Sequence, residues 1–323
     1  MMGMPLWMPC SAMGDAEAAV KIIECVPNFS EGRSPEKVRE IAAAAASVPG
    51  VTLLDYSWDA DHNRSVVTFL GKPAAVCEAA LASGGKALEL IDLRGHEGVH
   101  PRIGAVDVVP FIPLAAAEMR DAVSGAHRFG RTFAERHGIP VFFYGEAALN
   151  PDRRELPDIR RGSLSGLSAR LREGVWRPDA GPAVCSERVG AVAVGARMPL
   201  IAFNINLRTA DVGLAKRIAG KIRESGGGLP CVRAIGVFLA SRNLAQVSMN
   251  LTNFRITSLQ EVFTFVSREA AAAGVAVLES ELIGLAPQAA LNAETAAAIL
   301  LKDFSPQRII ENHLPAMSAC LTG

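Results

Sequence analysis

The side chains best suited to chemistry in this chain lie in residues 93–113, which hold two of its six histidines. His96 and His100 sit there among glycines and a proline, residues that break regular structure, so a loop is predicted. The apolar run that follows is typical of a buried strand. A neutral imidazole can take or give a proton near physiological pH, and scaffolds present reactive groups on such loops. Either histidine alone would be interpreted as a loop residue held by hydrogen bonds, but two of them beside Arg94 and Arg102 indicate a site.

Residues 96–100 also match the zinc-protease pattern H-E-x-x-H, in which two histidines one helical turn apart bind the metal. The pattern works only on a helix. Gly98 lies inside it, and Pro101 biases His100 away from the helical region of the backbone. The next histidine, His127, is far downstream and isolated. We therefore expect no metal site here.

Composition limits the class of protein. The chain has 323 residues, enough for two lobes, of which 50% are hydrophobic and 20% charged, as in ordinary soluble proteins. Lys and Arg together number 33, as do Asp and Glu, so no overall field attracts nucleic acid or a membrane. The six cysteines form no C-x-x-C pair, which favours reduced thiols in a cytoplasmic protein. No apolar run reaches the roughly 18 residues of a membrane span.

Three stretches are expected to lie outside the packed core. Residues 1–20 lack the basic and apolar regions of a signal peptide and predict a disordered leader, or a start codon placed too early, with Met13 as a candidate. Residues 151–161 carry four arginines and are typical of a solvated surface segment. Residues 315–323 form a short tail.

The order of predicted elements repeats along the chain. Residues 20–112 predict the order β-α-β-β-α-β, with a further helix and strand up to residue 144, and residues 200–282 predict the same order again. This is the split βαβ, or ferredoxin-like, arrangement. We expect an α+β fold of two ferredoxin-like βαββαβ sandwich subdomains that form a cleft between them.

Several long blocks, in order along the chain, resemble the glutamate formimidoyltransferase family and the formiminotransferase part of formiminotransferase-cyclodeaminase. Together they span about residues 21–314. The blocks are Glu-Cys-Val-Pro-Asn-Phe-Ser-Glu-Gly-Arg at 24–33, Asp-His-Asn-Arg-Ser-Val-Val-Thr at 61–68, the histidine-bearing stretch at 96–113, Tyr-Gly-Glu-Ala-Ala at 144–148, Ile-Ala-Phe-Asn-Ile-Asn-Leu at 201–207 and Asn-Leu-Ala-Gln-Val-Ser-Met-Asn at 243–250.

The resemblance implies two subdomains, at residues 21–197 and 198–314, with a folate bound in the cleft between them. It implies transfer of the formimino group from N-formimino-L-glutamate to N5 of tetrahydrofolate, the co-substrate, in histidine degradation. It implies a homodimer. Because the chain ends near Gly323, we expect no cyclodeaminase activity.

The resemblance also carries residue roles. It implies that His100 is the catalytic histidine. After Ser57 the chain departs from the bifunctional enzyme, which has an aspartate in that loop. Either Asp59 or Asp61 is a candidate substitute, or else the role of that aspartate is absent from this chain. The resemblance also implies a folate-contacting segment, which is matched here by its flanking motifs and less closely in its middle. The segment comprises Gly181, Pro182, Ala183, Val184, Cys185, Ser186, Glu187, Arg188, Val189 and Gly190.

The chemistry of the substrates suggests further binding residues. Both substrates carry carboxylates, which arginine can bind with two hydrogen bonds, so Arg64, Arg102 and Arg197 are candidates, although structural salt bridges are an equal alternative. Asn28 and Asn63 are candidates to bind substrate, or else to cap turns. His96 is expected to orient His100 or contact substrate.

Formimino transfer resembles acyl transfer, and one histidine can remove the proton from N5 and then deliver it to the leaving nitrogen. No nucleophilic cysteine or serine motif is present, which favours direct transfer. Two alternatives remain open. One is formyl transfer between 5-formyltetrahydrofolate and glutamate, and the other is a non-catalytic folate-binding protein.

Overall fold

The computed structural model describes residues 20–314, so the predicted leader and tail lie outside the described residues apart from Val20. Within them the chain forms a mixed α+β fold built on two β-sheets, as predicted. One sheet has seven strands and is formed by the N-terminal half, and the other has four strands and is formed by the C-terminal half.

The first sheet combines antiparallel and parallel strands. Its strands are β1 (Ile23–Cys25), β2 (Asn28–Phe29), β3 (Val51–Asp59), β4 (Arg64–Gly71), β5 (Val106–Pro113), β6 (Val141–Gly145) and β7 (Val192–Ala196). Its helices are α1 (Pro35–Ala46), α2 (Pro73–Leu90), α3 (Met119–His137), α4 (Leu156–Arg160) and α5 (Ser163–Arg172). Strands β1 and β2 both lie between β4 and β5, while β7 pairs in parallel with β5 and β6.

The second sheet is antiparallel throughout, in the order β11-β8-β10-β9. Helices α6 and α7 pack on one face of it. The elements of this half are β8 (Ile201–Leu207), α6 (Val212–Ile222), β9 (Val232–Leu239), β10 (Leu244–Leu251), α7 (Leu259–Ala272), β11 (Val277–Ile283) and α8 (Ala293–Ala298).

Local sequence explains where several elements begin. Ser34 caps α1, because its side-chain oxygen accepts from the amide of Lys37, and Pro35 occupies the first helical position. Ser258 caps α7 and forms a reciprocal capping box with Glu261. Both helices therefore start where the sequence predicts, to within a residue.

Strand β8 shows how a sheet separates its two faces. Its apolar residues alternate along the strand and pack in the core under α6 and α7, as Ile201, Phe203 and Ile205 do. Asn204 and Asn206, which alternate with them, are also buried but polar. The opposite face of this sheet therefore carries buried polar groups, and Asn204 lines the cavity between the two halves.

Two features differ from the expectations. Strand β7, in an alanine-rich and glycine-containing stretch, lies between β5 and β6, where the sequence predicted no strand. The segment at 151–161 is not wholly a surface segment, because Arg153 is buried against Asp179, 2.7 Å away, and Arg160 reaches a buried carboxylate. In both cases long-range contacts overrode the local pattern.

Candidate active site

A cavity of about 390 Å³ lies between the two halves of the chain. Its first wall comes from strands β1 to β6 and from α4, and its second wall from β8, β10, β11 and the segments that follow β11. Apolar side chains such as Val66 and Leu282 alternate with charged ones such as Arg64 and Lys302. The cavity can therefore hold a ligand that is partly apolar and partly charged.

His100 reaches this cavity from a loop. Residues 93–95 form one short 3-10 turn, and residues 96–101 are not helical, so the helix that a zinc-protease motif needs is not formed. The half-buried His100 lines the cavity. Its Nδ1 lies 2.9 Å from the carbonyl oxygen of Pro101. Since a carbonyl only accepts, Nδ1 carries the hydrogen and Nε2 keeps its lone pair.

The surroundings of His100 keep its imidazole neutral. Burial, followed by the positive charges of Arg64 and Arg160, lowers the pKa of His100 well below its ordinary value. The imidazole is therefore unprotonated at neutral pH. In that state it is ready to accept a proton, as a general base must be.

A buried carboxylate organises the positive charge next to His100. Asp107 on β5 is fully buried, and its Oδ2 accepts from Arg64 at 2.6 Å and also from Arg160. Its Oδ1 accepts from the amide of Ile103 at 2.8 Å. Burial by itself raises the pKa of Asp107, but the two guanidinium groups outweigh it and hold the pKa at about 2. Two cations share one anion, which leaves excess positive charge for an anionic ligand.

Four of the seven predicted catalytic and substrate-binding residues line the cavity: His100, Asn28, Arg64 and Arg197. Asn28 accepts from Nε of Arg64 at 3.0 Å and donates to the carbonyl of Val26 at 2.8 Å, so it orients that arginine. Arg197 follows β7 and donates to the carbonyl of the next residue at 3.0 Å.

The other three predicted residues lie behind the cavity wall. Asn63 accepts from the amide of Gly32 at 2.9 Å and donates to the carbonyl of Glu97 at 2.7 Å, which ties its turn to the histidine loop. The Nε2 of His96 lies 3.1 Å from the carbonyl of Asn63. Arg102 donates to the carbonyl of His96 at 3.4 Å. These residues hold the loop that carries His100 and do not line the cavity.

None of the residues from Gly181 to Gly190 lines the cavity. Most of this segment is exposed. Leu93 and Ala105 lie on either side of the histidine loop. Their backbone amides donate hydrogen bonds to the carbonyls of Arg188 and Val189 in this segment, each at 2.9 Å. The segment therefore flanks that loop from outside.

Asp59 and Asp61 were the two candidates to replace the aspartate that the bifunctional enzyme has in this loop, and one of them lines the cavity. Asp59 lies in its wall and accepts from the amide of His62 at 2.7 Å. Asp61 instead accepts from the amide and hydroxyl of Ser241, in the second half of the chain. The first is therefore available to a ligand, while the second joins the two halves.

Among the cavity residues that were not predicted from the sequence are Glu24, His62, Tyr144 and Arg160. Glu24 is buried on β1, and burial raises its pKa to about 7, although Arg197 opposes the rise. The first three lie within blocks that carry the family resemblance, and a charged residue between apolar neighbours in a strand was a signal for Glu24. Arg160 was assigned to a charged surface stretch, and nothing in its local sequence distinguishes it.

Two negative findings apply to residues 20–314. No group of three or more His, Cys, Asp or Glu side chains in that range is arranged to hold a metal ion. No helix in the same range is long and apolar enough to cross a membrane.

Comparisons with known proteins give consistent matches. The family model described as the formiminotransferase domain, N-terminal subdomain, matches residues 22–197, and the model described as the formiminotransferase domain matches residues 202–312. A glutamate formimidoyltransferase of Streptococcus pyogenes serotype M1 is 44% identical over 91% of this chain and 99% of its own length. One from Thermoplasma acidophilum is 42% identical over 91% and 98%. The formimidoyltransferase-cyclodeaminase of Sus scrofa is 42% identical over 91% of this chain and 56% of its own length.

Proposed function

The chain belongs to the formiminotransferase family, and we propose that it is a glutamate formimidoyltransferase, which moves the formimino group of N-formimino-L-glutamate to N5 of tetrahydrofolate. The observation that carries the proposal is that the imidazole of His100 lines a cleft between two sheets together with Arg64 and Arg160. Tetrahydrofolate is the co-substrate, and the reaction belongs to histidine degradation.

His100 acts as the general acid and base of this reaction. N5 attacks the formimino carbon, and a tetrahedral intermediate forms that must lose a proton from N5 and gain one on the departing glutamate nitrogen. The lone pair on Nε2 of His100 takes the first proton, and the resulting imidazolium delivers it to the leaving nitrogen. The lowered pKa of His100 supports this role, because the base must start unprotonated.

The cationic groups of the cleft bind the carboxylates of the substrates. Arg64 and Arg160 hold Asp107 between them and still face the cavity, so together they favour an anion close to His100. Arg197 lines the cavity at the end of β7 and is the third candidate. We assign the donor carboxylates to these three arginines and give Arg102 and Asn63 a supporting role behind the wall.

The folate occupies the cleft with its flat ring system near His100. The apolar side chains of Val26, Val66 and Val108 offer it contact area. The segment 181–190 is retained as a folate-contacting segment outside the cavity. The segment is hydrogen-bonded to both flanks of the histidine loop, which supports its assignment as a folate-contacting segment.

The architecture supports two finer proposals. The strand order β11-β8-β10-β9 within a β-α-β-β-α-β sequence supports a ferredoxin-like unit in the second half, and the order β3, β4, β1/β2 and β5 supports one in the first half. We propose two such subdomains, at residues 21–197 and 198–314, a division that agrees with the bounds of the two family matches. A homodimer and a cytoplasmic location stay predictions.

Replacing His100 by alanine tests the proposal. The wild type should form 5-formiminotetrahydrofolate from N-formimino-L-glutamate, detected by mass spectrometry. In His100→Ala the kcat should fall by about 10²- to 10⁴-fold, the usual contribution of a general acid–base group, with tetrahydrofolate binding retained. His137→Ala, at an exposed histidine away from the cavity, is the matched control and should be unchanged.

Two results would contradict the proposal. A wild type that binds tetrahydrofolate but transfers no formimino group would refute the activity. A His100→Ala variant with full activity would refute the role of the imidazole and leave the activity standing.

A further inference from the structure

A second histidine shares the cavity with His100. His62 lies in the turn between β3 and β4, lines the cavity and is 8% exposed. The centroids of the two imidazole rings are 6.0 Å apart. The two rings are therefore neighbours in the cavity wall, and formimino transfer as described above uses only His100.

Hydrogen bonds from the second sheet fix the orientation of His62. The side-chain nitrogen of Asn206 lies 2.8 Å from Glu281 and 3.1 Å from Glu279. Both carboxylates also pair with Arg242, at 2.9 and 2.6 Å, and act as acceptors. The amide nitrogen of Asn206 therefore points at the carboxylates, and its oxygen points away from them.

The side-chain amide of Gln246 links Asn206 to His62. The oxygen of Asn206 accepts from Nε2 of Gln246 at 2.9 Å, so the other end of that amide, Oε1, is an acceptor. It lies 3.2 Å from Nε2 of His62. Nε2 of His62 must therefore donate, and in the neutral ring the lone pair sits on Nδ1. Within residues 20–314 Nδ1 makes no hydrogen bond, although it belongs to a cavity-lining side chain.

Further contacts hold His62 and His100 in a fixed relation. Asn63, the next residue, donates to the carbonyl of Glu97 in the histidine loop at 2.7 Å. The amide of Val99 donates to the carbonyl of Asp61 at 3.2 Å. The turn that carries His62 and the loop that carries His100 are therefore one connected unit.

We propose that Nδ1 of His62 accepts a hydrogen bond from the terminal N–H of the donor's formimino group, and so selects N-formimino-L-glutamate over its formyl analogue. This inference rests on the proposed function. A formimino nitrogen carries hydrogens that an acceptor can bind. A formyl group has an oxygen in that place, and its lone pairs would face the lone pair of Nδ1. A site whose acceptor is left unpaired discriminates against the analogue that lacks the donor.

The test compares two ligands on wild type and on two variants. The selectivity is the Ki of N-formyl-L-glutamate, measured as a competitive inhibitor, divided by the KM for N-formimino-L-glutamate, with both constants measured in the same buffer. His62→Ala should lower this ratio about ten- to a hundredfold, the effect of one hydrogen bond to a group left otherwise unpaired. His62→Asn, whose side-chain oxygen can take the position of Nδ1, should retain most of the selectivity.

Thermal melting shows that each variant is folded, and His137→Ala serves again as the control. If His62→Ala raises the KM and the Ki by the same factor, or changes neither, the inference is overturned. If it fails to fold, His62→Asn decides: a ratio that collapses in a folded Asn variant overturns the inference, and a retained ratio supports it. A wild type that turns over no formimino donor contradicts the proposed function itself, which is a separate result.

Discussion

Replacing Asp107 by asparagine removes the negative charge that Arg64 and Arg160 share next to His100. The side chain keeps its shape, but two largely buried guanidinium groups lose their carboxylate partner. Removing one partner of a buried ion pair costs about 3–5 kcal/mol. We therefore expect the free energy of unfolding of Asp107→Asn to fall by about that amount at pH 7.

The dependence of the free energy of unfolding on pH measures the part of this loss that comes from the charge of Asp107. The pKa of Asp107 is about 2 in the folded protein, against an ordinary value of 3.8. A difference of roughly two pKa units corresponds to about 2.5 kcal/mol. Because the folded value is the lower one, this stability is fully present above the unfolded pKa and is lost as the pH falls through the folded pKa. The variant should lack this loss between pH 5 and pH 2.

Urea unfolding at a series of pH values measures both quantities. Asp158→Asn is the matched control, because its ion pair with Arg161 is exposed. Exposed pairs contribute only about 0–1 kcal/mol, so the control should behave like wild type. A loss below about 1 kcal/mol in Asp107→Asn, or a pH profile parallel to that of wild type from pH 5 to 2, would refute the view that this carboxylate holds the site together.

Two further substitutions test other parts of the fold by urea unfolding. Burial raises the pKa of Glu24 from 4.5 to about 7. Between these two pH values the folded protein keeps a proton that the unfolded chain loses, so the free energy of unfolding falls as the pH rises. Glu24→Gln should therefore make the free energy of unfolding less dependent on pH between pH 5 and 8. Gly84→Ala would place a Cβ 2.7 Å from the ring of Phe133 and should destabilise by about 1–3 kcal/mol. Gly85→Ala meets its nearest atom at 3.7 Å and should instead stabilise the helix by about 0.5–1 kcal/mol, and equal effects at the two glycines would contradict this reasoning.

Much of the secondary structure followed from local pattern. Strands β9 and β10 have the predicted bounds, and the prolines at the starts of α1 and α2 mark real helix starts. Strand β7 was missed because small residues give little strand signal. Gly195 in it is required by tertiary packing, since a Cβ there would come within 2.5 Å of the ring of Tyr144. That requirement depends on a contact across the sheet.

Some residues of the candidate active site could likewise be predicted from local sequence, and others could not. The sequence placed His100 on a loop, because Gly98 and Pro101 act on the backbone next to them. It could not place Arg160, since a charged side chain in a charged stretch is usually solvated, and its partner Asp107 lies 53 residues away in the chain.

The sequence alone determined the β-α-β-β-α-β order within each half, the helix caps and the loop character of the histidine stretch, since each depends on residues a few positions apart. The tertiary structure alone decided which side chains share the cavity. His62 takes its orientation from Gln246, 184 residues away. A hydrogen-bond direction or a pKa depends on what the fold packs around a group, and no local pattern encodes that environment.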